Sequence, residues 1–441
     1  MEYTIHVEQF GKIKKADIRV APLTLFVGDN NSGKSYLLSL VWAFQTWDMH
    51  SLMFRGMENI EEYGELSSKI GALINDESME LQISSDEFIV VLNTLLQKNK
   101  DNLVKNVFNS DSISIEKLSV SVDRDSTFDI RRVAENAFAI AEKKTDEQDA
   151  VKRAKVEISN KTIKDLGVKR IIESILSVIL LNGNYNSIYF PAARTGFVLA
   201  KDAINKAARK NVFDTTDYDN NRGNIEPFTK PIMNFLDSMN MPVLHDEASI
   251  SRRKLLDWIQ KQMSHGKVDY RDAVSRNIEY YPEGMEGGLP LRTVSAVVTE
   301  LTPLMILLQY QKNVTSICYE EPEMCLHPQL QLKMAMLLVK LVRSGIHIVA
   351  TTHSDIMLQH INNACTLNSL GKPKELLTRL DMAEEDCIAV KDVAVYQFED
   401  RGNYSEVREL EATEKGFNVP TFKDALQDIL NQTSEIYSFE E

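Results

Sequence analysis

The residues with the clearest chemical capacity lie near the start of the chain, where Gly28-Asp29-Asn30-Asn31-Ser32-Gly33-Lys34-Ser35 repeats the spacing G-x-x-x-x-G-K-S. Glycines at both ends let the backbone curl until successive N–H groups, here along Asn30, Asn31, Ser32 and Gly33, point inward at phosphate oxygens. Lys34 supplies a positive charge and Ser35 a hydroxyl ligand for Mg2+. A helix starting at the same place aims its positive end at the same anion. The pattern therefore specifies a nucleoside triphosphate with its metal.

A second set of residues decides what happens to that ligand. Thr315-Ser316-Ile317-Cys318-Tyr319 reads as a strand ending in Glu320-Glu321-Pro322-Glu323. A parallel strand delivers such carboxylates to the sheet edge where ligands bind. Two adjacent acids can divide the work, Glu320 holding the magnesium shell and Glu321 orienting and polarising the attacking water. Ile346 to Thr352 is a second buried-strand pattern, and it delivers His353-Ser354-Asp355. An imidazole there can hydrogen-bond a terminal phosphate and report its presence. Glu321 and His353 are the candidate catalytic residues.

The elements that must position these groups are legible in outline. Leu23-Thr24-Leu25-Phe26-Val27 is a short apolar run ahead of the loop, and Tyr36 to Phe44 reads as an apolar helix behind it. Residues 1 to about 48 form the first part of a core. Residues 49–186 read as an inserted, mainly helical lobe, with helical patterns over Asp86 to Lys98, Arg131 to Lys144 and Val168 to Leu181 and a strand-like piece at Ser112 to Asp123. No apolar heptad persists there, which argues against a long coiled coil. Ser187 to Phe190 returns to the sheet (187–200), and 201–284 form a second insertion with weak helical periodicity around Pro231 to Met239 and Ala248 to Met263. The second half of the core spans 285–400. An extension, 401–441, carries a strand from Ser405 to Leu410 and a helix from Thr421 to Tyr437.

Acidic residues outnumber basic ones, 64 to 50, in a chain of 441 residues with a formal charge of -14. That balance argues against a general basic coat for nucleic acid. The local clusters Arg194, Lys201, Lys206, Arg209, Lys210 and Arg252, Arg253, Lys254 read as solvated helix faces. Cys318, Cys325, Cys365 and Cys387 form no C-x-x-C pair, so neither a zinc ribbon nor a disulfide framework is indicated. No signal-peptide pattern and no membrane-length apolar run are present, and a soluble, cytoplasmic protein without membrane contact is expected.

Taken in order, Gly28 to Ser35, Glu320-Glu321-Pro322-Glu323-Met324-Cys325-Leu326-His327-Pro328 and Thr351-Thr352-His353-Ser354-Asp355 resemble the ABC-type ATPase head of SMC-like, RecF-like and OLD-type (overcoming lysogenization defect) proteins, the AAA_15-type group. The E-E-P-E-x-x-L-H-P segment is most similar to ATPase subunits of bacterial antiphage systems of the Septu or PARIS type. The resemblance implies an α/β fold, a P-loop NTPase head with a mixed or parallel sheet flanked by helices. It implies ATP and Mg2+ as cofactors, Lys34 on the phosphates, Ser35 and Glu320 on the metal, Glu321 as base or water-positioning residue and His353 as switch histidine. His327 would lie near a dimer contact, and Arg194 of Pro191-Ala192-Ala193-Arg194 would face the nucleotide or the sheet edge.

Heads of this kind work as homodimers or higher homo-oligomers, one subunit's signature Ser touching the phosphate bound by the other; Ser295 holds that place here. Val297 stands where the signature carries glycine, and a branched side chain there would crowd the approaching phosphate. Slow or conditional hydrolysis follows as an expectation. Cys325 replaces a frequent His. The nuclease domain of OLD-type proteins needs clustered Asp and Glu, and no such set follows His353. The expected function is a regulatory ATPase subunit that controls a separate effector, a nuclease, in antiphage defence. The alternative is an SMC- or RecF-like ATPase contacting DNA directly in repair; a transporter motor fits poorly, because the signature is degenerate.

Overall fold

The computed structural model describes residues 3–75, 80–122, 126–134, 137–144, 152–157, 164–181, 186–213, 228–240, 250–271, 277–413, 416–417 and 430–432. Contacts divide the chain into two compact units. One comprises Met1–Val20, Ser39–Ser187 and Phe228–Lys230; the other comprises Ala21–Leu38, Ile188–Pro227 and Pro231–Glu441.

The second unit is built on six strands in the order Ser405–Glu409, Val393–Asp400, Leu23–Gly28, His347–Thr351, Ser316–Glu320 and Ser187–Phe190. Leu23–Gly28 runs parallel to both of its neighbours, with Leu23 opposite Val393 on one side and Ile348 on the other. His347–Thr351 runs parallel to Ser316–Glu320. Strands covered on both faces must be apolar throughout rather than alternating, and every residue of Leu23–Gly28 is buried. Parallel pairing has a direct consequence for chemistry: Gly28, Glu320 and Thr351 all end up at one edge of the sheet. Helices Arg194–Phe213, Ala296–Tyr310, Pro328–Arg343 and Asp355–Ser369 accompany these strands, and the loop helix Lys34–Phe44 begins in this unit. The expected α/β fold with a largely parallel sheet and flanking helices is what the structure shows.

The first unit carries the hairpin Tyr3–Phe10 and Ile13–Arg19, turned at Gly11 in the left-handed region (φ 55°), with Lys117–Val122 antiparallel to its first strand. Helices predominate in its inserted part, Trp47–Met53, Glu61–Asn75, Ser85–Phe108 and Lys164–Leu181. They accompany a four-stranded antiparallel sheet, Glu80–Ser84, Ser126–Ala134, Ala137–Lys144 and Lys152–Glu157. Here one expectation is corrected: Arg131 to Lys144 belongs to two paired strands, not a helix. Alanines and charges give the segment a helical propensity, but Phe128, Ile130, Phe138 and Ile140 alternate with period two and are all buried, and burial of that face decides.

A second correction concerns the basic clusters. Arg194, Lys201 and Arg252 are buried rather than part of solvated faces. Arg252 donates to the carbonyls of Gln311 and Val314, and the Lys201 ammonium lies 5.8 Å from the Tyr270 ring centroid. The helix Ile250–Ile259 passes into a π-helical turn, Gln260–Ser264, within the expected helical stretch. The expected terminal helix lies outside the described residues except for a helical turn at 430–432.

Candidate nucleotide site

The loop is shaped by backbone that only certain residues tolerate. Gly28 has φ 116°, and a Cβ there would collide with the carbonyl of Phe398 on the neighbouring strand. Gly33 (φ 93°) and Asn31 (φ 56°) also occupy the left-handed region, which Gly and Asn enter most easily. The Asp29 N–H donates to the Phe398 carbonyl (3.0 Å) and the Asp29 carboxylate accepts from the Asp400 N–H (2.9 Å). The Ser32 hydroxyl closes the turn on the Asp29 carbonyl (2.7 Å).

Lys34 sits in the middle of this curl, 6% exposed, its ammonium donating to the carbonyls of Gly28 (3.1 Å) and Asp29. Burial lowers its pKa to about 8, against the opposing pull of the Glu321, Asp29 and Glu323 carboxylates. A desolvated cation ringed by a glycine-bounded loop suits a polyphosphate, whose oxygens would meet the ammonium directly. Ser35 is exposed in the first helical turn.

The other two segments arrive from neighbouring strands. The Glu320 carboxylate accepts from the Ala192 N–H (2.8 Å). Glu321, the next residue, leaves the strand in the left-handed region (φ 42°), its N–H donating to the Thr351 carbonyl (3.0 Å). Its carboxylate lies 3.9 Å from Nε2 of His353. Burial and the Lys34 charge hold the His353 pKa below its ordinary value, so the ring is neutral at pH 7. The structure thus brings Lys34, Glu321 and His353 into one neighbourhood within a single unit. Ser295 caps helix Ala296–Tyr310 from an exposed position, its hydroxyl accepting from the Val298 N–H (3.5 Å). His327 is exposed, at the cap of helix Pro328–Arg343.

Three participants were not assigned from sequence. Glu323 accepts from the His353 N–H (2.7 Å) and the Thr352 hydroxyl (2.9 Å), pinning the histidine loop to the acidic strand end. Burial raises its pKa. Glu300, the one charged residue of helix Ala296–Tyr310, pairs with Arg194, and both side chains are fully buried. A lone acid in the run Leu301 to Leu308 and its flank was the available signal. Phe398 needed the strand pairing to be known.

Fold and site together define a P-loop ATPase of the α/β class. Residues 1–358 match the model of the AAA ATPase domain family, AAA_15. The chain belongs to that family. No curated protein matches it. Among solved structures it is similar to the SMC head domain from Thermotoga maritima, with 10% identity over 93% of this chain and 99% of that one and a TM-score of 0.33. A SmcHead bound to the C-winged helix domain of ScpA shows 12% identity over 92% and 97%, TM-score 0.33. An Smc head with an extended coiled coil, bound to the C-terminal domain of ScpA derived from Pyrococcus furiosus, shows 11% identity over 99% and 100%, TM-score 0.35. Among the described residues no helix is long and apolar enough to cross a membrane.

With ATP and Mg2+ bound, the nucleotide supplies the phosphoanhydride and the metal neutralises its charge. Lys34 and the loop N–H groups would bind the phosphates, and Ser35 and Glu320 would hold the metal. Glu321 would orient water and take its proton, and a His353 ring N–H would donate to the terminal phosphate.

Proposed function

We propose that this chain is an ATP-binding regulatory subunit of an antiphage defence complex. ATP binding and slow hydrolysis set its assembly and the activity of a separate effector, a nuclease. The observation that carries this reading over a DNA clamp is the insertion following the loop helix. Its longest described helix, Ser85–Phe108, has 24 residues, about 36 Å at 1.5 Å per residue. Clamps that encircle DNA need longer arms or a continuous basic channel, and burial of Arg194, Lys201 and Arg252 removes part of the basic sequence from any surface. Heads joined through Ser295 as a homodimer or larger oligomer would present the inserted lobes to the effector.

The test is co-purification with the product of the neighbouring reading frame, with complex mass and DNA cleavage measured with and without ATP. ATP-dependent change in either is expected. If ATP alters neither, the regulatory reading fails, and ATP-dependent DNA binding by the chain alone would establish the repair alternative.

A further inference from the structure

The turn that follows strand Ser187–Phe190 makes an unusual set of contacts with the acidic strand end. Arg194 is completely buried. One terminal nitrogen of its guanidinium donates to the carbonyls of Pro191 (3.1 Å) and Glu320 (2.7 Å), and the other donates to the carbonyl of Glu321 (2.9 Å) and pairs with Glu300. The plane lies 4.8 Å from the Tyr319 ring centroid. The Thr195 hydroxyl donates to the second oxygen of Glu300 (2.5 Å). Glu300 lies in helix Ala296–Tyr310, whose cap is Ser295.

Buried ion pairs add little net stability, because removing both charges from water offsets most of their attraction. Conformational specification is a better account of this one. Glu321 holds a left-handed backbone (φ 42°) that L-residues other than Asn and Asp adopt only under strain. Such strain persists only where the surroundings over-determine it. Thr351 fixes the N–H side of Glu321 and Arg194 fixes the carbonyl side, leaving the carboxylate facing His353.

We propose that Arg194 is a positioning residue: it locks the Glu320-Glu321 peptides in the geometry that aims Glu321 at the nucleotide. Through Glu300 it makes the same lock a mechanical link to the helix that presents Ser295. Any shift of the catalytic peptide on nucleotide binding then reaches the signature-bearing helix through one guanidinium. This inference rests on the ATPase reading of the site.

The test uses the full chain with Arg194→Lys, Glu300→Gln and the double variant. Lysine keeps the charge but lacks the planar fork that spans three carbonyls and a carboxylate. Active sites are counted by nucleotide-binding stoichiometry, and single-turnover hydrolysis is measured with protein in excess. In R194K the hydrolysis rate per active site is expected to fall about tenfold or more, with ATP affinity within about threefold of wild type. E300Q should fall in the same direction, and the double variant should be no worse than R194K, as for residues acting as one unit. A folded R194K with an unchanged rate overturns the proposal, as does a loss of affinity parallel to the loss of rate. Failure of both single variants to fold overturns it too, by making the pair a folding element. Wild-type protein that does not bind ATP would instead sink the ATPase reading.

Discussion

Lys34 is the residue on which the site's electrostatics turn. Its pKa, lowered to about 8 by burial, means that part of its charge is lost just above neutrality. Because the folded value lies below the ordinary 10.5, the unfolded chain holds more protons between about pH 8 and 10.5, and folding without nucleotide gains stability with rising pH in that window. Binding has the opposite slope. A polyphosphate favours the charged form, so ATP affinity should weaken as pH rises past about 8 and binding should take up a proton there. Calorimetry in buffers of different ionisation enthalpy measures that uptake. Lys34→Ala should weaken ATP binding by about a hundredfold or more; equal affinity in the two proteins would remove the basis for the site.

At the scale of elements, helix Ala296–Tyr310 sets the rate expectation. Val297 is half-buried two residues past the exposed Ser295 cap. Val297→Gly should open the approach to a phosphate from a second subunit and raise steady-state turnover about tenfold, at a helix-propensity cost of under about 0.5 kcal/mol relative to valine; turnover unchanged by the substitution would clear Val297 of the role. Helix Trp47–Met53 carries a different prediction. His50 is buried, its Nε2–H donating to the Phe44 carbonyl (2.8 Å) and its Nδ1 facing the Ser177 hydroxyl (3.2 Å), and burial lowers its pKa to about 4. The unfolded chain takes up the proton first as pH falls below about 6.5, so this unit should lose about 3 kcal/mol between there and pH 4. NMR titration of the ring checks the value, and urea unfolding at pH 7 and pH 4.5 checks the sign. The same elements show what sequence conveys: fully buried strands such as Leu23–Gly28 declare themselves as apolar runs, whereas Ala137–Lys144 hid its alternation among alanines that suit a helix equally well.

For the molecule as a whole, motif order foretold which distant segments meet, because parallel strands bring Gly28, Glu320 and Thr351 to one edge whatever lies between them in the chain. What stayed hidden were contacts that depend on strand order and side-chain burial. Arg194 read both as one of several surface cations and, through the family resemblance, as facing the nucleotide or the sheet edge; its bonds to the Glu320 and Glu321 carbonyls show it buried at that strand end as a clamp. Phe398 carried no motif at all. Its carbonyl nevertheless backs Gly28 and receives the Asp29 N–H. The phosphate-binding signature and the wall that braces it lie far apart in the chain, as the Asp29–Asp400 bond spans 371 residues. The triphosphate pocket is therefore a long-range assembly, and cutting the chain between Asp355 and Val393 would leave every recognisable motif in place while stripping the loop of the carbonyl and amide that brace it.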